Sequence, residues 1–238
     1  MSKVISITSS KGGSGKTTLT AIAGALFMNE HKKRVALIDV DPQKSLLKKR
    51  ESEIKLIKGK DVQYTKQVLK NKDDLNMYFS EVIYIDLKAD FNTINAKINK
   101  VLDHFDYVFV DFPGSLLIND NALRLLKLID YIFIPLYVDK NSYDSTIEFY
   151  KSLADLKEKN EIKGKSYLFF NKFSKRKNTS IFNSVKVFFE KRNIPLLKSV
   201  IYNYVSLEDY STVLSPKIRT KDFKPEYEWV NEIIKIIK

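Results

Sequence analysis

The sequence predicts an α/β protein in which a predominantly parallel β-sheet is sandwiched by helices. Three observations carry that prediction. Seven short β-branched and aromatic runs recur along the 238 residues. Longer stretches with apolar residues at helical spacing lie between them. Several of the short runs are apolar almost throughout, as strands covered on both faces are. Strand and helix alternate without a linker, an internal repeat or a low-complexity stretch, so residues 1–238 read as a single domain. Sheets of this kind take ligands beyond the carboxyl ends of their strands.

In chain order, KVISITS (3–9) reads as a strand, followed by a glycine-rich loop and the helical pattern TTLTAIAGALFMNE (17–30). RVALIDV (34–40) is the second strand. Residues 48–80 mix helical and extended signals and read only as a helix followed by irregular chain. EVIYIDL (81–87) is a strand, FNTINAKINKVLDHF (91–105) a helix, and YVFVDF (107–112) and YIFIPLY (131–137) are strands. The helix SYDSTIEFYKSLADLKEK (142–159), the strand SYLFFNK (166–172), the helix SIFNSVKVFFEKR (180–192) and the strand PLLKSVIY (195–202) complete the alternation. The last stretch, EYEWVNEIIKIIK, has an apolar stripe at positions 229, 230, 233, 234, 236 and 237. Its polar side holds Glu226, Glu228 and Glu232 as well as Lys235 and Lys238. Anionic lipid selects a lysine-rich face, so this helix is expected to dock on its own domain.

Composition removes several classes of function. With no cysteine, a disulfide scaffold, a thiolate zinc site and a cysteine-ligated iron–sulfur cluster are excluded. Two histidines, His31 and His104, make a histidine-rich metal centre a poor expectation. No apolar run approaches the roughly 18 residues of a membrane span, and MSKVISITSSKGGSGK has no signal-peptide core. A cytoplasmic protein is expected. The net charge of +12 is uneven: residues 161–238 hold 16 basic and 8 acidic side chains. That is the footprint of a protein that meets polyanions, although lysine-rich usage with only six arginines also fits an AT-rich genome.

The first strand ends in Ser9-Ser10-Lys11-Gly12-Gly13-Ser14-Gly15-Lys16-Thr17-Thr18, with an apolar helix directly after it. Glycines let successive backbone N–H groups turn toward phosphate oxygens, and the helix adds its partial positive end. Lys16 can reach the β- and γ-phosphates, and the Thr17 hydroxyl can ligate Mg²⁺. The common form of the loop has glycine where this chain has Ser10, and here a second lysine, Lys11, stands early in the loop.

The run K-G-G-x-G-K-T-T resembles the deviant P-loop (deviant Walker A) of the ParA/MinD family of dimerising ATPases. That resemblance implies a P-loop NTPase fold and a nucleotide site of Lys11, Gly12, Gly13, Ser14, Gly15, Lys16, Thr17 and Thr18, with Lys11 reaching the partner subunit's nucleotide. Asp39-Val40-Asp41-Pro42-Gln43 resembles the family's D-x-D-P-Q segment, which implies that Asp41 positions the attacking water and Asp39 supports the Mg²⁺ shell. Asp111, closing an apolar strand, matches a Walker-B carboxylate on Mg²⁺. Gly114 departs from the family's frequent D-x-P-P at this place. Asn171 looks like a base-reading asparagine, and Ser174, where GTP-selective relatives have aspartate, favours ATP.

Within the family, the resemblance implies a short-form partition ATPase without an N-terminal DNA-binding domain. Such a protein forms a homodimer with ATP and Mg²⁺ and holds DNA nonspecifically at the nucleoid. A ParB-like centromere-binding protein stimulates its slow hydrolysis and releases it. Lys175, Arg176, Lys177, Arg219 and Lys221 are the candidate DNA contacts, chosen on charge clustering, since none has base-reading spacing. A MinD-like ATPase working on a membrane surface is the alternative, and a nucleotide-dependent metabolic enzyme on the same loop is a third reading. No membrane partner is expected.

Overall fold

The computed structural model describes residues 2–58, 81–114, 120–137, 140–203, 210–213 and 224–238. Seven strands form one sheet: β1 (Lys3–Ile7), β2 (Val35–Asp39), β3 (Glu81–Tyr84), β4 (Tyr107–Asp111), β5 (Tyr131–Leu136), β6 (Lys165–Phe173) and β7 (Leu196–Tyr202). Their order is β3-β2-β4-β1-β5-β6-β7, and every pairing is parallel. The seven strand expectations are met to within a few residues at their ends.

Among the described residues seven helices cover the sheet: α1 (Lys16–Asn29), α2 (Ser45–Lys58), α3 (Phe91–His104), α4 (Asp120–Leu126), α5 (Lys140–Glu158), α6 (Lys175–Lys191) and α7 (Lys224–Ile237). Strand residues alternate between two cores. Val4, Ile38, Val108, Ile134 and Phe170 face one core with α3, α4, α5 and α6. Ile5, Leu37, Phe109, Phe133 and Phe169 face the other with α1 and α7. Burial on both faces is why the central strands read as unbroken apolar runs.

Three helices differ from the sequence reading. The helix expected from 180, α6, begins five residues earlier, at Lys175. The short α4 is too brief for a periodic signal. The helix expected to begin at 48 starts three residues earlier, at Ser45, because Asp39 accepts hydrogen bonds from Leu46 N (3.0 Å) and Leu47 N (3.2 Å). A cap lying six residues upstream leaves no local signature. The remainder of the ambiguous segment, 59–80, lies outside the described residues.

The docked reading of the terminal helix holds. Trp229, Val230, Ile233, Ile234 and Ile237 are buried, with the Trp229 ring 5.1 Å from that of Phe169. Glu232, expected on a solvated face, instead accepts from Lys198 N and Ser199 N of β7, each at 2.8 Å. These consecutive donors fall in an irregularity of the β6–β7 register, so the carboxylate occupies backbone groups that the ladder leaves unpaired.

Trp229, the one tryptophan of the chain, is fully buried. Trp229→Ala is expected to cost about 3–5 kcal/mol, measured by urea unfolding followed by circular dichroism. A loss under 1 kcal/mol would mean that the helix is not docked.

Candidate nucleotide site

Five neighbouring strand ends carry the site. In sheet order they are β2 with Asp39, β4 with Asp111, β1 with the glycine loop, β5 with Tyr137 just beyond it, and β6 with Asn171 and Lys172. Parallel strands bring these ends to one edge, about 4.8 Å apart per step.

The loop is shaped by backbone that glycine alone adopts without strain. Gly13 has φ 70° and Gly15 φ 80°, and Gly15 is the N-cap of α1 in the left-handed region. A Cβ at Gly15 would also lie 3.3 Å from Asn171 Nδ2. No side chain caps α1, and no acid sits in its first turn, so its positive end is available to an anion. Inside the loop, Ser9 and Ser14 share a 2.6 Å hydrogen bond, and the Ser9 hydroxyl also donates to Lys11 O at 3.1 Å.

The two lysines of the loop occupy different environments. Lys16 is buried and donates from Nζ to Lys11 O at 3.1 Å. Burial lowers its pKa, while Asp111 and Asp41 oppose that shift. Lys11 has an exposed position, as do Gly12 and Gly13, while Thr17 and Thr18 are half-buried on the first turn of α1.

Asp111 has no exposed surface. Its Oδ2 accepts from the Thr17 hydroxyl at 2.7 Å, and its Oδ1 has no hydrogen-bond partner among the described residues. Burial pushes its pKa up to about 7, with the Thr17 bond acting against the shift. A buried carboxylate oxygen without a donor, next to a threonine hydroxyl, fits a hard cation that takes oxygen ligands. Among the described residues no group of three or more His, Cys, Asp or Glu gathers as a metal cage. Mg²⁺ held by one or two protein oxygens and substrate phosphates needs no such cage.

Asp39 is fully buried beside Asp111 in the β2–β4 register. Its oxygens accept from Asp41 N at 3.1 Å as well as from the start of α2. Burial raises its pKa despite these three backbone bonds. Asp41, half-buried, accepts from Gln43 N at 2.9 Å. The carboxylate that caps α2 is therefore Asp39, and Asp41 closes the turn ahead of it with one of its oxygens. Near them the backbone of Gly114 runs against the loop, where an added Cβ would meet Gly12 N at 3.3 Å.

Asn171 is buried and donates from Nδ2 to Ser14 O at 2.9 Å, so its amide nitrogen is engaged with the loop. Sequence reasoning did not single out Tyr137 and Lys172, which both donate to Gly13 O, at 3.1 and 2.9 Å. The Asn-Lys pair closing β6 was the available signal for Lys172; Tyr137 offered none beyond its place at a strand end.

A second polar cluster was also missed. Arg50 and Glu53 of α2 are buried. Arg50 Nη2 donates to Thr212 O at 2.8 Å, and Glu53 accepts from both the backbone N–H and the hydroxyl of Thr212. Among the candidate DNA contacts, Lys175, Arg176 and Lys177 open α6, but their side chains lie outside the described residues, as do Arg219 and Lys221.

Strand, glycine loop, lysine and helix, with a buried carboxylate on the neighbouring strand, define a P-loop nucleotide site. The sequence model of the AAA domain family matches residues 2–164, and the chain belongs to that family, as a ParA/MinD-type member. Septum site-determining protein MinD of Thermotoga maritima is 34% identical over 126 residues, covering 49% of this chain and 46% of that protein. A virulence plasmid ParA family protein of Chlamydia psittaci is 27% identical over 148 residues, 56% of each. The chain thus spans about half the length of the curated relatives it matches. A plasmid partition protein of Borrelia burgdorferi B31 bound to AMPPNP superposes with a TM-score of 0.65 at 21% identity, covering 99% of both chains, which shows a shared fold.

The raised pKa of Asp111 sets a pH dependence. Between its ordinary value of 3.8 and about 7, the nucleotide-free folded protein keeps a proton that the unfolded chain releases. Stability from this group therefore falls as pH rises through that window and levels off above it. Asp111→Asn should gain on the wild type by about 2–3 kcal/mol between pH 5 and pH 8, several degrees in Tm. A constant offset in Tm across that range would contradict the burial argument.

Proposed function

We propose that this chain is an ATP-dependent DNA partition ATPase. ATP and Mg²⁺ assemble it into a homodimer that holds DNA without sequence preference, and hydrolysis, stimulated by a centromere-binding partner, releases it. The observation that supports this most is the division of labour between the loop lysines: Lys16 is folded into its own loop, whereas Lys11 stands on the exposed surface. A buried lysine serves the nucleotide of its own subunit, and an exposed one can serve that of a partner.

On this reading Lys16 and the loop amides bind the triphosphate, and Thr17 and Asp111 hold Mg²⁺, with Asp39 behind them. The ion, when bound, neutralises charge on the β- and γ-phosphates. Asp41, half-buried at the end of β2, orients the attacking water. Lys11 adds positive charge across the dimer as negative charge shifts in the transition state.

DNA is favoured over a membrane surface as the matrix by two features. The apolar stripe of α7 is used in the core and is not offered to a lipid surface. The basic balance lies in the C-terminal third, where Lys186, Lys191 and Arg192 of the α6 region are exposed. Retention at the nucleoid would follow.

Duplex binding measured against salt, with and without ATP and Mg²⁺, tests the reading. The wild type should bind at least about tenfold more tightly with ATP, because pairing two basic surfaces raises avidity, and the affinity should fall steeply with salt. Lys11→Ala should bind ATP but lose the ATP-dependent gain on DNA. ATP-dependent sedimentation with anionic liposomes, and no DNA binding at low salt, would overturn the proposal in favour of a MinD-like role.

A further inference from the structure

Three side chains from two strand ends hold two consecutive carbonyls of the glycine loop. Gly13 O accepts from the Tyr137 hydroxyl at 3.1 Å and from Lys172 Nζ at 2.9 Å, and Ser14 O accepts from Asn171 Nδ2 at 2.9 Å. Among the described residues no peptide bond is cis. In a trans peptide the C=O and the following N–H point in opposite directions. Holding these carbonyls toward β5 and β6 turns the N–H groups of Ser14 and Gly15 the other way, away from those strands.

We propose that Tyr137 and Lys172 are positioning residues that preorganise the loop's anion nest before any nucleotide arrives. This rests on the nucleotide reading above and adds residues to that site. A glycine-rich loop is permissive, and an unheld peptide at Gly13 can rotate its N–H out of register. A nest works as an anion site only when successive N–H groups converge. Two donors on one carbonyl, one of them cationic, fix that peptide more firmly than a single neutral bond does.

The backbone at Lys172 supports the assignment independently. Lys172 has φ 51°, a left-handed conformation uncommon for a residue other than glycine. That turn lies beside buried Asn171 near the end of β6, and from it the amine of the exposed Lys172 reaches back to the loop. The amine also lies 5.5 Å from the centre of the Tyr137 ring, so the two donors support each other. Neither side chain needs to touch the nucleotide to act, because each works through the peptide it holds.

The test uses the full chain, Mg²⁺, labelled ATP, and tripolyphosphate as a competitor that has phosphates but no nucleoside. Tyr137→Phe and Lys172→Met should each weaken both ATP and tripolyphosphate by about tenfold, the double variant by more, and Lys172→Arg should restore most of the affinity. The nucleotide-free Tm of Lys172→Met should stay near that of the wild type, since its side chain is exposed; if Tyr137→Phe is destabilised, Lys172→Met alone decides. Wild-type affinity in Lys172→Met, or weakened ATP with unchanged tripolyphosphate binding, would overturn the proposal. A wild type that binds ATP but not tripolyphosphate would also overturn it, because the loop would then not be a preformed nest. If the wild type binds no ATP, the nucleotide reading fails instead.

Discussion

The bond between the Thr17 hydroxyl and the Asp111 carboxylate joins the two elements on which the rest of the site depends. Thr17 is in the first turn of α1, and Asp111 is the last residue of β4, in a strand with no exposed surface at its end. The bond fixes the start of the helix relative to the sheet and leaves one carboxylate oxygen without a partner among the described residues. An isolated buried acid is strongly disfavoured as an anion, which is why its pKa is pushed up to about 7. A divalent cation would reverse that preference. The strain therefore sits at the place where the ligand is expected, in keeping with functional sites being tuned at the expense of stability.

A chain of polar contacts leads away from that bond. Asp39, next to Asp111 in the sheet, caps α2. The same helix carries Arg50 and Glu53, which hold Thr212 in the segment after β7. On the other side of the loop, Tyr137, Asn171 and Lys172 brace it from β5 and β6. The loop is thus supported from both neighbouring pairs of strands, and its glycines supply only the conformations that the bracing selects.

Much of this was legible in the sequence. The strand runs were unbroken because both faces are covered, and the loop read clearly because glycines, Lys16 and Thr17 stood between a strand and a helix. Asp111 was legible for the same reason: an acid closing an apolar strand has few structural excuses. What stayed hidden acts over distance. Asp39 capping a helix that starts at Ser45, Glu232 filling an irregularity in β7, and Thr212 held by Arg50 and Glu53 each join residues that only the folded chain brings together. Tyr137 was hidden because its partner is a backbone carbonyl, which leaves no pattern in side-chain spacing; Lys172 had only its place beside Asn171 to mark it.

On the function proposed above, Thr17 and Asp111 form the protein side of a Mg²⁺–triphosphate site. The most direct measurement is the ATP-induced rise in Tm, with Mg²⁺ and with EDTA, for the wild type and for Asp111→Asn. At 100 times the dissociation constant, binding stabilises by about 2.7 kcal/mol, several degrees for a chain of this size. The wild type should show that rise with Mg²⁺ and lose most of it in EDTA, and the variant should show little Mg²⁺-dependent gain. An equal rise in EDTA, or in Asp111→Asn, would mean that Thr17 and Asp111 do not hold the ion.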